Sequence, residues 1–363
     1  MAVREMIQIV PVRAKAAEGV GDYAMRIAER MEADHGIATR FIACTPLPEA
    51  QRRNDRWDTI ELARRGADDL VAALERMPEG APILLQLSGY GFHARALTFW
   101  VAKALRQWRG AHADCRVMTV FHELYATGPV WSSPYWVGGL QKLGVRQVYR
   151  QSDGAIATTR RNVAALRGWE PAGPELSWMP CFATIGEPPG PTPLASDRPA
   201  RLAIFGRSSV LDSVYRANLS TLEAFVRANA ITEIVDIGQR PGPAPAAIAG
   251  VPVRALGELA PEPLVAELSQ ARFGMLHYEA DRLAKSSIFG AFCAAGTIPV
   301  CISGEPGRED GLVPGTHYLR LDGATPPPVA ADALDRLQAG AKSWYEPHSI
   351  AATVKLIHGT LTD

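Results

Sequence analysis

Apolar residues recur along the chain in two alternating rhythms. Residues 6–12 form a nearly continuous apolar run that predicts a buried strand, and 22–33 carry Tyr23, Ile27 and Met31 at helical spacing. The pattern continues with strand 39–44, helix 67–77, strand 83–87 and helix 96–108. Strand 116–121, a helix over 140–150 and a short strand 155–158 follow. It restarts with strand 202–205, helix 217–228, strand 233–237 and a short strand 251–255. Helix 262–269, strand 273–276, helix 286–295, strand 298–302 and a last helix after Pro347 complete it. Uniformly apolar strands separated by helices predict parallel sheets covered on both faces.

Between the two arrays, residues 182–198 (FATIGEPPGPTPLASDR) are rich in Pro and Gly and are expected to be a linker. The expected fold is therefore α/β, with two Rossmann-like, doubly wound domains facing each other across a cleft. The first spans 1–181 and the second 199–346, and the terminal helix, 347–363, is expected to pack back on the first. Such sheets bind ligands beyond the carboxyl ends of their strands, so the loops after strands are where chemistry is expected.

Composition narrows the function classes. A chain of 363 residues is long enough for two cores. Its 38 basic and 38 acidic residues cancel, which argues against a protein devoted to nucleic acid. The balance is uneven, +4 over 1–180 and −4 over 181–363, so peripheral contact of the N-terminal half with an anionic membrane surface is an expectation. No apolar run approaches the ~20 residues of a membrane span, and the opening MAVREMIQIVPV lacks the apolar core of a secretion signal. The five cysteines are scattered with no CxxC pair, and are expected to be small buried hydrophobes. A cytoplasmic location, including the inner face of a membrane, fits this pattern.

The loops after strands carry the candidate chemistry. Gly19-Val20-Gly21-Asp22-Tyr23-Ala24 fits GxGxxA in form, but six residues separate it from the strand, and the second strand ends in Cys-Thr-Pro without an acid. A nicotinamide site is thus disfavoured, whereas a glycine-rich approach to a helix N-terminus can still offer amides to a phosphate or sugar hydroxyl. The plain alternative is a turn capped by Asp22. Gln86-Leu87-Ser88-Gly89-Tyr90-Gly91 lacks the first glycine of a hydrolase elbow and is expected to line a cleft. His122-Glu123 open a loop containing Tyr125, Trp131, Tyr135 and Trp136. His122 could exchange a proton or donate to an oxygen, Glu123 is the alternative base, and Tyr90, Tyr125 and Trp131 are acceptor-side candidates. In the second half, Gly206-Arg207 follow a strand, and Lys285-Ser286-Ser287 open a helix; both can converge on one diphosphate. There is no Asp-x-Asp pair and no metal-ligand cluster, so cations and amides would have to neutralise the diphosphate without a metal or other cofactor.

Taken in order, GVGDYAMRIAERM, FHELY, FGR, KSSIFGAFCAAGTIPV and WYEPHSIAATV resemble the GT-B glycosyltransferases, close to the family-four nucleotide-sugar group and a bacterial subgroup within it. The resemblance implies an N-terminal acceptor domain and a C-terminal domain for a nucleotide diphosphate sugar, such as a UDP or GDP sugar. It implies that Gly19 and Gly21 approach the donor, that His122 contacts the transferring sugar, and that Arg207, Ser286 and Ser287 meet the diphosphate. The acceptor would be a small molecule, a glycan or a lipid-linked molecule, as in bacterial polysaccharide or glycoconjugate synthesis. The family's second phosphate lysine falls near Asp212, and its paired glutamates fall on Leu283 and Ala291, so Lys285 is a replacement cation on chemical grounds alone. Two other functions stay open: an epimerase of nucleotide sugars, and a silent binding or scaffold subunit.

Overall fold

The computed structural model describes residues 3–14, 19–52, 56–125, 133–240, 242–304, 309–323 and 328–362, with the side chains of 133–136 and 309 left out. Two compact units emerge, Met1–Pro180 with Ile350–Asp363, and Cys181–Ser349.

The first unit is built on β1 (Glu5–Val10), β2 (Ala38–Ala43), β3 (Thr59–Glu61), β4 (Ile83–Ser88), β5 (Val117–Glu123), β6 (Gly154–Ala157) and β7 (Glu175–Trp178). All are parallel, in the order β3-β2-β1-β4-β5-β6-β7. Strands on both sides of β1/β4 wind outward in opposite directions, so a topological switch point lies between them. Its helices are α1 (Gly19–His35), α2 (Ala67–Leu74), α3 (Gly89–Phe92), α4 (Phe99–Ala111), α5 (Ser133–Tyr149) and α6 (Arg160–Trp169).

Residues alternate across each strand. Ile7, Ile9, Ile83, Leu85, Leu87, Val117 and Phe121 face the larger core under α2 and α4, and Val10 and Phe41 face a smaller one with Ala24 and Ala28 of α1.

The second unit repeats the plan with β8 (Arg201–Phe205), α7 (Ser208–Asp212), α8 (Leu219–Ala228), β9 (Glu233–Ile237), β10 (Ala247–Ile248) and β11 (Val251–Gly257). α9 (Pro261–Gln270), β12 (Phe273–His277), α10 (Ser287–Ala294), β13 (Ile298–Ile302), β14 (Leu319–Leu321) and α11 (Ala331–Tyr345) follow. The order β10-β11-β9-β8-β12-β13-β14 puts a switch point between β8 and β12. The final helix, α12 (Ile350–Thr362), belongs to the first unit: His358 stacks on His35 of α1 at 3.8 Å, and a Cβ on Gly154 would meet Thr360.

Residues 182–198 are not a free linker. They belong to the second unit, and Phe182, Ala183 and Ala195 are fully buried. Tyr345 of α11 accepts from the Ala183 amide and donates to Glu187, and Gln338 accepts from the Ala195 amide. Arg198 donates to the carbonyls of Pro193, Ala271 and Ala295, and burial of its guanidinium lowers its pKa to about 10. A Pro-rich composition marks irregular backbone, not freedom from packing. The helix after Pro347 likewise starts at Ile350, and Pro347 sits in a short turn of the second unit.

Candidate functional site

In the first unit the candidate residues gather at the carboxyl ends of β1, β4 and β5. α1 begins at Gly19, so Gly19 and Gly21 form its first turn and Asp22 lies inside the helix, where it is not a cap. This carboxylate sits in the turn where the helix dipole favours negative charge. Gly89-Tyr90-Gly91, in the segment expected to line a cleft, coils into α3 with Tyr90 45% exposed. A Cβ on Gly91 would stand 2.6 Å from Pro11, so the loops after β1 and β4 touch.

His122 occupies a break in register: Leu87 pairs with Phe121, yet Ser88 pairs with Glu123. Such an extra residue re-aims a side chain. His122 points onto the α1 face and is only 7% exposed, with Tyr23 edge-on at 4.8 Å. Its Nε2 lies 2.9 Å from Oε1 of Gln86, whose amide in turn donates to Gln8 at 2.9 Å. Glu123, by contrast, is exposed. Tyr125, half-buried, has the Trp169 ring at 5.5 Å and the Lys142 ammonium 4.6 Å from its own ring centre. Trp131 lies outside the described residues.

In the second unit Gly206 follows β8 with φ 148°, a conformation favouring glycine, and a Cβ there would press on Val210 and on Ile288 of α10. The Gly206-Arg207 turn therefore sits directly against the first turn of α10. Arg207 caps α7 through its backbone and is exposed. Ser286, 5% exposed, is the N-cap of α10, its Oγ accepting from the Phe289 amide at 3.2 Å. Ser287 and Lys285 are half-buried. Lys285 lies near Cys181, whose thiol burial pushes up to about 12 while that ammonium pulls the other way. The turn carrying Arg207 thus meets the helix that Lys285 and Ser286 precede and Ser287 opens, and cations beside helix amides can bind an anion.

Sequence reading missed His277, which ends β12 at the switch point and bonds through Nδ1 to Ser213. A lone histidine after an apolar strand was the only signal. Asp212 is balanced by Arg216 at 3.4 Å and Arg240 at 3.7 Å, and Arg240 also holds buried Asp236 at 2.7 Å. Leu283 and Ala291 are buried apolar residues. Among the described residues no group of three or more His, Cys, Asp or Glu could hold a metal, and no helix is long and apolar enough to cross a membrane.

No protein-family model matches the chain, and no curated protein matches its sequence. Its fold does match solved structures. One is an alpha-glucosyltransferase in complex with UDP and a 13-mer DNA, 11% identical, TM-score 0.60, covering 100% of both chains. Another is the pneumococcal O-GlcNAc transferase GtfA in complex with UDP and GlcNAc, 10% identical, TM-score 0.60, again over 100% of both. A third is described as a UDP-N-acetylglucosamine 2-epimerase from Listeria monocytogenes, 12% identical, TM-score 0.54, over 99% of this chain and 95% of that one. The fold is the two-domain GT-B fold.

Proposed function

We propose that the chain is a glycosyltransferase that moves a sugar from a nucleotide diphosphate sugar to an acceptor. The observation that carries this reading is the junction of the Gly206-Arg207 turn with the Lys285-Ser286-Ser287 start of α10, at the switch point of the second sheet. Neighbours of the same fold that hold UDP support it. Arg207 and Lys285 neutralise the departing diphosphate, the amides of the first turn of α10 add donors, and no metal is needed. Gly19 and Gly21 let substrate approach the backbone at the start of α1. His122 contacts the transferring sugar, and Glu123 is the exposed carboxylate available as base. The family-four subgroup, with a cytoplasmic role in glycoconjugate synthesis, is the finer form of the reading.

Net charge zero does not exclude nucleic acid as acceptor, since a neighbour of this fold is in complex with DNA. The epimerase neighbour keeps a second reaction in view. Incubation with a panel of UDP and GDP sugars, with and without glycan, lipid-linked, small-molecule and DNA acceptors, separates the readings. Nucleoside diphosphate released together with a glycosylated acceptor is the expected result. An altered nucleotide sugar, or sugar released without acceptor, is epimerase chemistry, and no response to any donor indicates a binding subunit.

A further inference from the structure

Gln8 of β1, Gln86 of β4 and His122 of β5 are buried polar side chains on three adjacent strands, all on the face covered by α1. Gln8 and Gln86 are completely buried among apolar neighbours. Gln8 pairs in register with Leu84 and Gln86 with Val120, so each member of the series lies two residues further along the next strand. The three are linked by hydrogen bonds that run in one direction.

The direction is fixed at its far end. Nε2 of Gln8 donates to the backbone carbonyl of Ala24 in α1 at 3.0 Å, and a carbonyl oxygen only accepts. The amide of Gln8 therefore turns its NH₂ to the helix and its Oε1 to Gln86. Gln86 must then donate through Nε2 to that oxygen, at 2.9 Å, which turns its own Oε1 to His122. An amide oxygen also only accepts, so Nε2 of His122, 2.9 Å away, carries the proton.

We infer that Gln8 and Gln86 are positioning residues that hold His122 in its Nε2–H tautomer. The effect on turnover rests on the glycosyl-transfer reading; the tautomer does not. The register break at His122 and the edge of Tyr23 fix the plane of the ring, and the relay fixes its protons. The relay ends on a neutral carbonyl. A carboxylate behind the imidazole would stabilise the imidazolium and favour proton abstraction. An amide chain lacks that full charge, so the relay favours the neutral imidazole as the working form of His122.

The full chain labelled with [15N]histidine tests this by NMR, the His122 signal being assigned from its loss in His122→Phe. Wild type should show a single Nε2–H tautomer whose Nε2 proton exchanges slowly with water. Gln86→Leu, which removes the acceptor, and Gln8→Leu, which never touches the ring but frees the Gln86 amide to flip, should both give averaged shifts reporting two tautomers. The double variant Gln8→Leu/Gln86→Leu replaces both amides by apolar groups and guards against misfolding of the singles. Gln86→Glu keeps an acceptor, so it should retain Nε2–H and move the acidic limb of the pH profile of kcat to higher pH. Each leucine variant should lower kcat about ten-fold with little change in KM for the donor. Wild-type His122 found as Nδ1–H or as a mixture, or a single tautomer surviving in both Gln8→Leu and the double variant, overturns the relay. Tautomers that respond as stated while kcat stays at the wild-type value leave the relay standing and remove His122 from the reaction.

Discussion

His122 and Glu123 are adjacent in sequence, yet one is buried on the α1 face and the other is exposed. Their variants should therefore behave differently. His122→Ala is expected to cut turnover by about 10²–10⁴-fold, the usual weight of a positioned acid, base or hydrogen-bonding group. Donor affinity should change far less, because Arg207 and Lys285, the proposed diphosphate cations, belong to the second unit. Glu123→Gln measured beside it tests Glu123 as the base: loss of turnover there, with near-normal His122→Ala, keeps that role and removes the sugar contact assigned to His122. The relay behind His122 left a trace in the sequence. Gln8 and Gln86 each interrupt an apolar strand, MIQIV and ILLQL, and a buried amide needs a partner. What could not be read there was the pairing, since residues 8, 86 and 122 meet only once strand order and the register break are known.

At the scale of elements, the interior strands and long amphipathic helices were legible, with β9 and β13 matching their expected bounds. The elements missed were mostly short strands near or at sheet edges, β3, β7, β10 and β14, whose half-exposed residues form no apolar run. α6 and α11 were missed too. In α11 the apolar positions Leu334, Leu337, Ala341 and Trp344 are diluted by Ala, Gly and Gln. That helix also explains why 182–198 is packed, and it yields a pH prediction. The backbone amide and hydroxyl of Ser196 both donate to Asp335, at 2.9 and 2.8 Å, and hold its carboxyl below the usual range. A depressed folded-state pKa gives stability that is present above the unfolded value and lost as pH falls through the folded one. Asp335→Asn should thus be less stable than wild type at pH 7, and the gap should close on acidification, as read by urea unfolding at several pH values. Ser286→Ala should lose about 1 kcal/mol through the missing cap of α10, measured the same way.

For the whole molecule, strand–helix alternation and its restart were enough to expect two doubly wound sheets, and both sheets have that topology. The return of α12 to the first unit was signalled only by an amphipathic run after Pro347. Gly-Arg after one strand and Lys-Ser-Ser before one helix stood out in the sequence, but His277 did not, because a single histidine is an ambiguous signal until its strand is located at a switch point. The central claim is that the second unit grips a nucleotide diphosphate through Arg207 and Lys285. Calorimetric titration of UDP and GDP, with the matching nucleosides as controls, tests it on wild type, Arg207→Ala and Lys285→Ala. Each variant should bind the diphosphate about 1.5–3 kcal/mol more weakly than wild type, the range for charge-assisted hydrogen bonds, with nucleoside binding unchanged and a chelator without effect. Wild type that binds neither diphosphate, or variants that bind one as tightly as wild type does, would contradict it.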